Sequence, residues 1–560
     1  MKQLLGLGLT SLLACFSGVN AQQSIPEDEY FKVETLAKGL VDAMEIAVAP
    51  TGDVFIAERT GALKWYQPES GNIAVVKTFE VSLLSQVEKV KISRETGLLG
   101  ITLDPNFMQN GWIYCYFSPK EKKEHRLARY TFKSGKLTQE RILLKIPQTR
   151  KEGVCHEGGS LAFDSKGHLF LSTGDNTNPF ASNGCAPLDE RPNNEHINSQ
   201  RTSGNTNDLR GKILRIKPLP NGTYSIPKGN LFPVGTKKTR PEIFVMGCRN
   251  PWRIGIDSHT DTLYWGEVGP DANKDSERGP RGYCEINQAQ TPGNYGWPYF
   301  VGDNKAYARY DFQRKKLGEK FDPAKPVNES RLNTGLTELP PTRKPLWSVQ
   351  RSCYCSGPVY HYEDYGSTEG KLPKELDNCL ITYDWNNGKM QLTKLDPNGQ
   401  MQWKKDWLHS KKFIHPSDLE FGPDGSVYVL EYGSGWYDSD NGTLKRITYT
   451  TEKQKSEGRK EDPRLAGISP DHPGYTLLSE AICLSCHQTQ KASVGPRYLD
   501  VATRYRDDEK GAKALADKIK NGGVGNWGNI PMPPNSQYNR EQLSQMVDAI
   551  LSMAPEGHQE

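Results

Sequence analysis

The 560-residue sequence has little of several things, and each shortage excludes a class of protein. Apolar residues make up only 35% of the chain. After the amino-terminal region no apolar run approaches the roughly 20 residues that a membrane-spanning helix needs. The 71 lysines and arginines nearly balance the 67 aspartates and glutamates, which gives a net charge of only +4. We therefore predict no transmembrane segment and no nucleic acid or other acidic polymer as a partner.

Turn-forming residues, in contrast, are plentiful, with 53 glycines and 37 prolines. A short apolar strand, a turn and a second apolar strand recur in IAVAPTGDVFIAE (46–58), GITLDPNFMQNGWIYCYFS (100–118), LAFDSKGHLFLSTGD (161–175), IGIDSHTDTLYWGEVG (254–269) and LEFGPDGSVYVLEYG (419–433). A degenerate sixth copy lies between residues 357 and 385. Alternation with period two predicts a β-hairpin for each copy. Six such units favour an all-β six-bladed β-propeller over residues 22–449, with unrelated hairpins in a β-sandwich as the alternative.

The amino terminus has the pattern of an export signal over residues 1–21. Lys2 supplies a positive charge, residues 4–14 are apolar, and Val19-Asn20-Ala21 forms a small-residue cleavage site. A lipoprotein signal is the competing interpretation, because Cys15 follows Leu-Leu-Ala and could carry a lipid anchor. Either way the sequence predicts an exported, periplasmic protein.

Cysteine usage is consistent with export. Of the eleven cysteines, one lies in the signal and two lie in a motif near the carboxyl terminus. The remaining eight are an even number, which in an exported protein suggests disulfides, although about 105 pairings are open.

The repeat pattern ends near residue 449, and a second domain follows. Residues 450–472 begin with a highly charged stretch without apolar periodicity, which predicts a solvated linker. Residues 540–553 carry an apolar stripe at helical spacing, preceded by Asn539 as helix cap and with Gln542 three positions later. We therefore expect a small all-α domain over residues 473–560.

Cys483-Leu484-Ser485-Cys486-His487 is a C-x-x-C-H motif, the attachment site of c-type haem. Cys483 and Cys486 on one helical turn can each form a thioether with a haem vinyl group, and His487 then presents its imidazole to the iron. A disulfide or half of a zinc site is the alternative, but this domain has no second cysteine pair. The motif predicts covalently bound haem c.

Met532 in NWGNIPMPPN (526–535) is the candidate for the sixth iron ligand. The surrounding prolines favour an extended loop, and His/Met ligation raises the iron potential, which suits an electron acceptor. Met532 could instead be a core residue, although a methionine between prolines is poorly placed for that. With the Gly495-Pro496 step and the closing helix, residues 473–556 resemble a class I bacterial cytochrome c.

Several residues at the expected blade entrances indicate a functional site in the propeller. His156 lies just before one strand, and Arg249 and Asn250 lie directly before another. Three oxygen-bearing residues also alternate in the way that Ca²⁺ ligands often do: Asp271, Asn273 and Asp275. A base, a cation, an amide and a candidate Ca²⁺ site at blade loops make an active site plausible.

The order of the propeller motifs resembles the glucose/sorbosone dehydrogenase family, which are soluble quinoproteins with six blades that use pyrroloquinoline quinone (PQQ) and Ca²⁺. The resemblance spans residues 40–450 and rests on ETGLLGITLDPNF (95–107), HEGGSLAFDSKGHLFLSTGD (156–175), LRGKILRI (209–216), GCRNPWRIGI (247–256), EVGP (267–270) and EINQAQTPGNYGWP (285–298). Together these motifs are far more specific than any one of them.

The resemblance implies roles for individual residues. His156 matches the general base of the family, and Arg249 and Asn250 match quinone-binding residues. Glu95 stands where the family usually has a glutamine that contacts the cofactor.

The resemblance also implies two metal sites. Gly269 and Pro270 match the residues whose backbone carbonyls hold the catalytic Ca²⁺. Glu285 and Tyr295 match a second, structural Ca²⁺ site.

The chain departs from the family pattern in the last two blades. Where the family has a lysine that contacts the quinone in blade five, residues 381–388 offer only Asp384 and Asn386. Where the family has an Arg-x-Arg pair in blade six, residues 414–418 offer His415. Three cations that would bind the carboxylates of PQQ are therefore replaced.

The resemblance and the haem motif together lead to the expectation of a periplasmic quinohaemoprotein-like oxidoreductase. It would oxidise a sugar or polyol hydroxyl and pass electrons to its own haem, and a soluble cytochrome or a membrane oxidase would accept them. One alternative is a non-catalytic propeller that binds carbohydrate or protein and docks the cytochrome to a partner. Another is a Ca²⁺-dependent hydrolase, which the haem disfavours because hydrolysis needs no electron acceptor.

Overall fold

The computed structural model describes residues 24–83, 95–151, 153–180, 184–350, 352–366, 368–435, 438–454, 462–506, 508–525, 527–528 and 532–553. The predicted export signal and Cys15 lie outside the described residues. No helix in the described part of the chain is long and apolar enough to span a membrane.

Four-stranded antiparallel sheets form the first three blades of a ring, after an amino-terminal strand β1 (Phe31–Leu40). Blade one consists of β2 (Ala43–Val48), β3 (Val54–Glu58), β4 (Ala62–Gln67) and β5 (Asn72–Thr78). Blade two consists of β6 (Leu98–Leu103), β7 (Trp112–Phe117), β8 (Glu124–Lys133) and β9 (Lys136–Pro147), with helix α1 (Phe107–Asn110) in its first turn. Blade three consists of β10 (Gly158–Phe163), β11 (Leu169–Thr173), β12 (Lys212–Pro218) and β14 (Ile243–Met246), extended by β13 (Tyr224–Ser225) and β18 (Gly293–Asn294).

Three further blades complete the ring. Blade four consists of β15 (Pro251–Ile256), β16 (Leu263–Glu267), β17 (Tyr283–Ala289) and β23 (Trp347–Gln350). Its long insertion holds two small hairpins, β19 (Phe300–Val301) with β20 (Lys305–Ala306) and β21 (Ala308–Asp311) with β22 (Lys316–Lys320). Blade five consists of β24 (Tyr354–Tyr360), β25 (Cys379–Asp384), β26 (Lys389–Leu395) and β27 (Met401–Trp407), and blade six of β28 (Pro416–Phe421), β29 (Val427–Glu431), β30 (Gly442–Tyr449) and β1.

Contacts between the first strands of the blades close the ring. These inner strands pack on one another in the order β2, β6, β10, β15, β24 and β28, and β28 packs on β2 again. Blade six takes its fourth strand from the start of the chain, because β1 pairs with β30 from Phe31 opposite Tyr449 to Leu40 opposite Gly442. Each predicted hairpin forms the first two strands of one blade, so the six-bladed β-propeller is confirmed and the β-sandwich alternative is wrong.

A buried charged cluster joins the inner strands around the axis. Arg253 of β15 is fully buried, and its Nε lies 4.0 Å from Glu45 Oε1 and 3.8 Å from Asp418 Oδ1. The guanidinium also donates to the carbonyls of Ser417 (2.8 Å) and Met44. Blades one, four and six are therefore tied together through one side chain.

The carboxyl-terminal domain is helical, as predicted. It contains α2 (Pro473–Glu480), α3 (Tyr498–Tyr505), α4 (Glu509–Asn521) and α5 (Arg540–Leu551). Helix α5 begins with a capping box formed by Asn539 and Gln542, and its apolar stripe is buried in the domain core. Short 3-10 helices span Asp28–Tyr30, Ser199–Arg201, Tyr362–Asp364, Lys374–Leu376, Pro463–Leu465 and Ile482–Ser485.

The end of the predicted solvated linker is buried, which corrects the sequence interpretation. Asp462, Arg464 and Leu465 are at most 2% exposed, while residues 455–461 lie outside the described residues. Asp462 caps the 3-10 helix and pairs with Arg464, so the two charges neutralise each other, and Leu465 packs into the core of the helical domain. The aspartate cap followed by proline was a local signal for this turn.

The expected disulfides are not confirmed. Seven of the cysteines in the propeller carry free thiols, and they are Cys115, Cys155, Cys248, Cys284, Cys353, Cys355 and Cys379. They are distributed over blades two to five, and burial raises the pKa of the Cys115 thiol well above its ordinary value. These residues act as small core side chains.

We expect that Arg253→Met lowers the free energy of unfolding by about 3–5 kcal/mol, because it leaves Glu45 and Asp418 buried without their shared cation. The matched control is Arg331→Met, which breaks an exposed pair with Glu195 and should cost at most about 1 kcal/mol. Denaturant unfolding of both variants measures the difference, and equal losses would contradict a central role for Arg253.

A second expectation concerns the thiols. Alkylation of the unfolded but unreduced protein should modify at least the seven propeller cysteines named above, since they carry free thiols. Mass spectrometry counts the adducts. Modification of these seven only after reduction would show that disulfides form and that the structure has the wrong redox state.

Candidate functional site

The six inner strands run in the same direction along the axis, so the loops that precede them open onto one face of the ring. We call this face the mouth, and define it by the loop residues Asp42, Glu95, His156, Arg249, Asn250, Cys353 and His415. Hydrogen bonds link neighbouring loops. The backbone N–H of His156 donates to Glu95 Oε2 (2.6 Å), and that of Gly158 donates to Asn250 Oδ1 (3.1 Å). The mouth thus brings together the predicted base, the predicted cation and both predicted cofactor contacts.

His156 and Asp175 form a buried pair in the mouth. His156 Nδ1 lies 2.7 Å from Asp175 Oδ1, and the side chains are 5% and 0% exposed. A carboxylate accepts, so Nδ1 carries the proton and Nε2 keeps its lone pair. His156 also has φ of 68°, an uncommon conformation for a residue other than glycine, held by the hydrogen bonds around it. The imidazole is therefore oriented for proton acceptance at Nε2.

Asp175 is held by a network that fixes its charge. Its carboxylate accepts from Thr177 Oγ1, Ser199 Oγ and Trp297 Nε1, each at 2.8 Å. Burial raises the pKa of Asp175, but its interactions with His156, Arg249 and Thr177 together outweigh burial, so the pKa lies below its ordinary value. Asp175 therefore stays ionised and supports a positive charge on His156 when the imidazole takes a proton.

Arg249 is a buried cation beside this pair. Its Nη1 donates to the carbonyl of Val268 (2.8 Å), and its guanidinium lies 5.9 Å from the ring centre of Trp297. Its backbone carbonyl accepts from the N–H of Asp175 (2.8 Å), which ties blades three and four. The Nε atom is buried and has no acceptor among the described residues.

A second buried histidine lies behind the mouth. His125 Nε2 is 3.4 Å from Glu157 Oε2, and burial lowers the pKa of His125 to about 3. Burial, and then the charge of Glu95, raise the pKa of Glu157 to about 8. Both groups are therefore largely uncharged at neutral pH, and Glu157 is held by Asn176 Nδ2 at 3.1 Å. This pair supports the loop that carries His156.

The two residues predicted to hold the catalytic Ca²⁺ line a small cavity. Gly269 and Pro270 share it with Arg249, Glu267 and Glu285. Burial raises the pKa of Glu285 to about 7, and burial together with the charge of Glu285 raises that of Glu267 to about 8. In the described part of the chain, no group of three or more His, Cys, Asp or Glu side chains is placed to hold a metal. Calcium here would depend on backbone carbonyls, and it stays a prediction.

The other candidate calcium ligands are not gathered. Asp275 pairs with Arg281, whose Nη2 lies 2.9 Å from the carboxylate, and Asp271 is exposed. Asp271, Asn273 and Asp275 therefore do not form a calcium site, because the carboxylate of Asp275 is paired with Arg281. Tyr295 shares the cavity with Glu285, but its hydroxyl donates to the carbonyl of Gln288.

In blades five and six, the two positions that depart from the family pattern, Asp384 and His415, carry no positive charge. Asp384 holds its own turn, because it accepts from Ser352 Oγ (2.5 Å) and Asn387 Nδ2 (2.6 Å). His415 Nδ1 donates to the carbonyl of Gly433 (2.7 Å), and its ring stacks on Trp385. Burial and the charge of Arg464 lower the pKa of His415 to about 3, so its imidazole is neutral.

The haem motif forms one tight turn of the helical domain. The N–H groups of Cys486 (3.1 Å) and His487 (2.9 Å) both donate to the carbonyl of Cys483. His487 Nδ1 donates to the carbonyl of Pro496 (2.9 Å), which leaves Nε2 for a metal. A Cβ atom at position 495 would lie 2.4 Å from His487 Cε1, so only the glycine found there allows this ring position. The residues present fit a covalently bound haem.

Met532 and His487 contact different residues of the helical domain. Its backbone pairs with Gly523, and its side chain packs beside Ile519, Leu543 and Val547. The His487 ring instead stacks against Tyr498, with 5.3 Å between centroids. The role of Met532 as iron ligand therefore stays a prediction.

The helical domain is docked on the mouth of the propeller. Gln488 Nε2 donates to the carbonyl of Ser434 (2.6 Å), and Lys491 Nζ donates to that of Asp438 (3.1 Å). Arg464 Nη1 lies 3.4 Å from His415 Nε2. The segment that follows the haem motif thus contacts the same face that carries His156.

Sequence reasoning missed three residues of the site. Asp175 closes the third repeat, and an acidic residue at a strand end was its only local signal. Trp297 and Arg464 reach the mouth from far along the chain, and no local pattern indicates either.

A ligand that carries a carboxylate fits Arg249 in the mouth. The Nε of Arg249 is a buried donor without an acceptor in the described structure, which costs about 1–3 kcal/mol unless a ligand accepts from it. Carboxylates are the preferred partners of guanidinium groups. PQQ has this chemistry, and Arg249, Asn250 and Glu95 are the residues that would hold it.

Comparison with known proteins matches both parts of the chain. A family model described as Glucose / Sorbosone dehydrogenase matches residues 40–437, and one described as Cytochrome c matches residues 472–554. Quinoprotein glucose dehydrogenase B of Acinetobacter calcoaceticus is 25% identical over 469 residues, which cover 77% of this chain and 91% of that protein. Cytochrome c-551 of Allochromatium vinosum is 42% identical over 77 residues, which cover 14% of this chain and 82% of that protein.

The fold of the propeller also has a solved counterpart. The structure of an oxidoreductase (glucose dehydrogenase) from Thermus thermophilus matches with a TM-score of 0.53 and 22% identity, and it covers 74% of this chain and 99% of that one. With the family models spanning most of the sequence, the chain belongs to the glucose/sorbosone dehydrogenase family of six-bladed propellers and carries a cytochrome c domain at its carboxyl end.

Proposed function

We propose that this protein is an exported, periplasmic PQQ-dependent dehydrogenase that oxidises a hydroxyl of an aldose sugar or polyol and delivers the electrons to its own haem c. The observation that carries the proposal is the docking of the haem-binding segment on the mouth that holds the His156–Asp175 pair. A hydrolase or a simple binding propeller has no use for an electron acceptor at that position. The quinoprotein relative supports the choice of PQQ and of a sugar substrate.

Oxidation of a carbinol to a carbonyl removes two electrons and two protons, and the residues of the mouth manage the protons. His156 Nε2 accepts the hydroxyl proton while Asp175 stabilises the imidazolium that results. PQQ, when bound, supplies the acceptor for the hydride equivalent. Arg249 holds positive charge where the ligand becomes more negative, and Ca²⁺ at the Gly269 and Pro270 carbonyls would do the same.

A short series of contacts supports electron transfer within the molecule. His415 donates to the carbonyl of Gly433, and the carbonyl of the next residue, Ser434, accepts from Gln488. Gln488 directly follows His487. Two electrons would leave one at a time through the single haem iron to an external acceptor, either a soluble cytochrome or a membrane oxidase.

One observation favours a second function. The two positions at which blades five and six depart from the family pattern carry no cation, because Asp384 is a carboxylate held in its turn and His415 is neutral. A propeller that had lost PQQ could still bind carbohydrate or a protein and position the cytochrome. Binding of PQQ to the purified protein separates the two functions.

We expect His156→Ala to slow sugar-dependent haem reduction by about 10²- to 10⁴-fold, the usual contribution of a positioned base. His168→Ala is the matched control, because His168 forms the same kind of pair with Asp164, at 2.7 Å, outside the mouth. Stopped-flow absorbance of the reduced haem measures both. A wild-type rate in the His156 variant would show that the assigned site is wrong.

Asp175→Asn should also slow the reaction, and the acid limb of its pH profile should move to lower pH, because the amide no longer supports the imidazolium of His156. The pH profile of the haem reduction rate distinguishes this positioning role from a structural one. An Asp175→Asn profile parallel to wild type would contradict it.

We expect Cys483→Ala and Cys486→Ala each to weaken covalent haem attachment, and the double variant to abolish it. Met532→Ala should retain haem but lower its reduction potential, because a His/Met iron has the higher potential. Haem stain after denaturing gel electrophoresis and a redox titration test these effects. The controls are Cys379→Ala and Met401→Ala in the propeller. Persistent stain in the double variant would refute the attachment site.

A further inference from the structure

One buried cation enters the mouth from outside the propeller. Arg464, in the segment that joins the two domains, is 2% exposed and lies against the loops of blades five and six. Its Nη1 donates to the carbonyl of Asn386 (3.3 Å) and lies 3.4 Å from His415 Nε2. Asn386 follows the second strand of blade five, and His415 precedes the first strand of blade six. The loops that contain Asn386 and His415 therefore both lie on the face that carries His156 and Arg249.

The guanidinium is oriented by a single carboxylate. Asp462 accepts from Nε (3.0 Å) and Nη2 (2.8 Å) of Arg464 in the two-pronged geometry that arginine favours. This pairing fixes the plane of the guanidinium and leaves Nη1 on the side of the propeller. The two contacts of Nη1 are long, so this nitrogen can turn toward a better acceptor at little cost.

Asp462 also contacts Lys412, whose Nζ lies 3.2 Å away and whose side chain is 40% exposed. The neighbouring His415 is neutral, so no carboxylate lies at the two long contacts of Nη1.

Tyr475 and Thr489 hold the Asp462–Arg464 turn. The backbone N–H of Asp462 donates to the hydroxyl of Tyr475 (2.5 Å), and the carbonyl of Arg464 accepts from the N–H of Thr489 (3.2 Å). Thr489 lies two residues after His487. The position of Arg464 is therefore coupled to the docking of the haem-binding segment.

We propose that Arg464 is part of the cofactor site of the propeller, where it supplies from the cytochrome side a cation beside Asn386 and His415, two positions at which the propeller itself has none. Its Nη1 binds a carboxylate of the planar, polyanionic cofactor. This inference rests on the proposed function, since it takes PQQ as the ligand. It predicts that the propeller binds PQQ well only when the cytochrome domain is docked.

The test is equilibrium binding of PQQ to the haem-loaded, full-length protein freed of PQQ, in the presence of Ca²⁺. Arg464→Ala should weaken binding by about 10- to 100-fold, the range of one charged hydrogen bond. Arg464→Lys should lie between this variant and wild type. Arg464→Gln keeps a similar volume and hydrogen bonding without the charge and should lose nearly as much as alanine.

A control variant removes an arginine elsewhere on the cytochrome domain. Arg497→Ala removes a cation that pairs with Asp500 and leaves the contact of Gln488 with Ser434 in place. It should bind PQQ within about threefold of wild type, well under the tenfold that 1.4 kcal/mol represents. Haem content and thermal unfolding confirm that each variant is folded.

The outcomes distinguish this inference from the proposed function. If wild type binds PQQ and the Arg464→Gln and Arg464→Lys variants bind it equally well, the inference is wrong while the proposed function stands. Tighter binding by the variants would also overturn it, because Arg464 would then be blocking the site. If wild type itself does not bind PQQ, the proposed function fails, and this inference fails with it.

Discussion

Pairing of β1 with β30 closes the ring, and the rest of the structure depends on that closure. A closed ring holds six inner strands side by side around one axis, so their amino-terminal ends must meet at one mouth. The strands approach so closely that a Cβ atom at Gly100 would lie 1.9 Å from the carbonyl oxygen of Gly159. Arg253 then joins three blades at the axis. The predicted base, the predicted cation and the predicted cofactor contacts are neighbours because of this geometry, although they are far apart in sequence.

Local patterns predicted the hairpins, helix α5 and the haem motif, because each depends on residues within about 20 positions of one another. The local pattern placed His156 and Arg249 at blade entrances, but their roles as base and quinone-binding residue were predicted only through the family resemblance. Trp297 bonds Asp175 over 122 positions, and Arg464 reaches His415 over 49, so no periodicity encodes either contact. The buried linker end was missed because its charges neutralise each other in the fold. Disulfides were expected from cysteine number alone, which carries no information about distance.

In the proposed reaction the mouth would separate protons from electrons. The hydroxyl proton would go to His156 on blade three, where hydrogen-bond donors keep the Asp175 carboxylate charged against the effect of burial. Electrons would leave on the opposite side, where the cytochrome contacts blade six through Ser434 and Arg464. The loops of blades five and six therefore serve as a docking surface for the second domain. The departure from the family pattern in those blades coincides with the fused cytochrome.

The central claim is that sugar oxidation and haem reduction occur within one molecule. The most direct measurement is the rate of haem reduction after mixing the PQQ- and Ca²⁺-loaded protein with an aldose, over a wide range of protein concentrations. Intramolecular transfer predicts a first-order rate that does not change with protein concentration. A rate proportional to protein concentration, or no reduction of the haem by any aldose or polyol, would contradict the account.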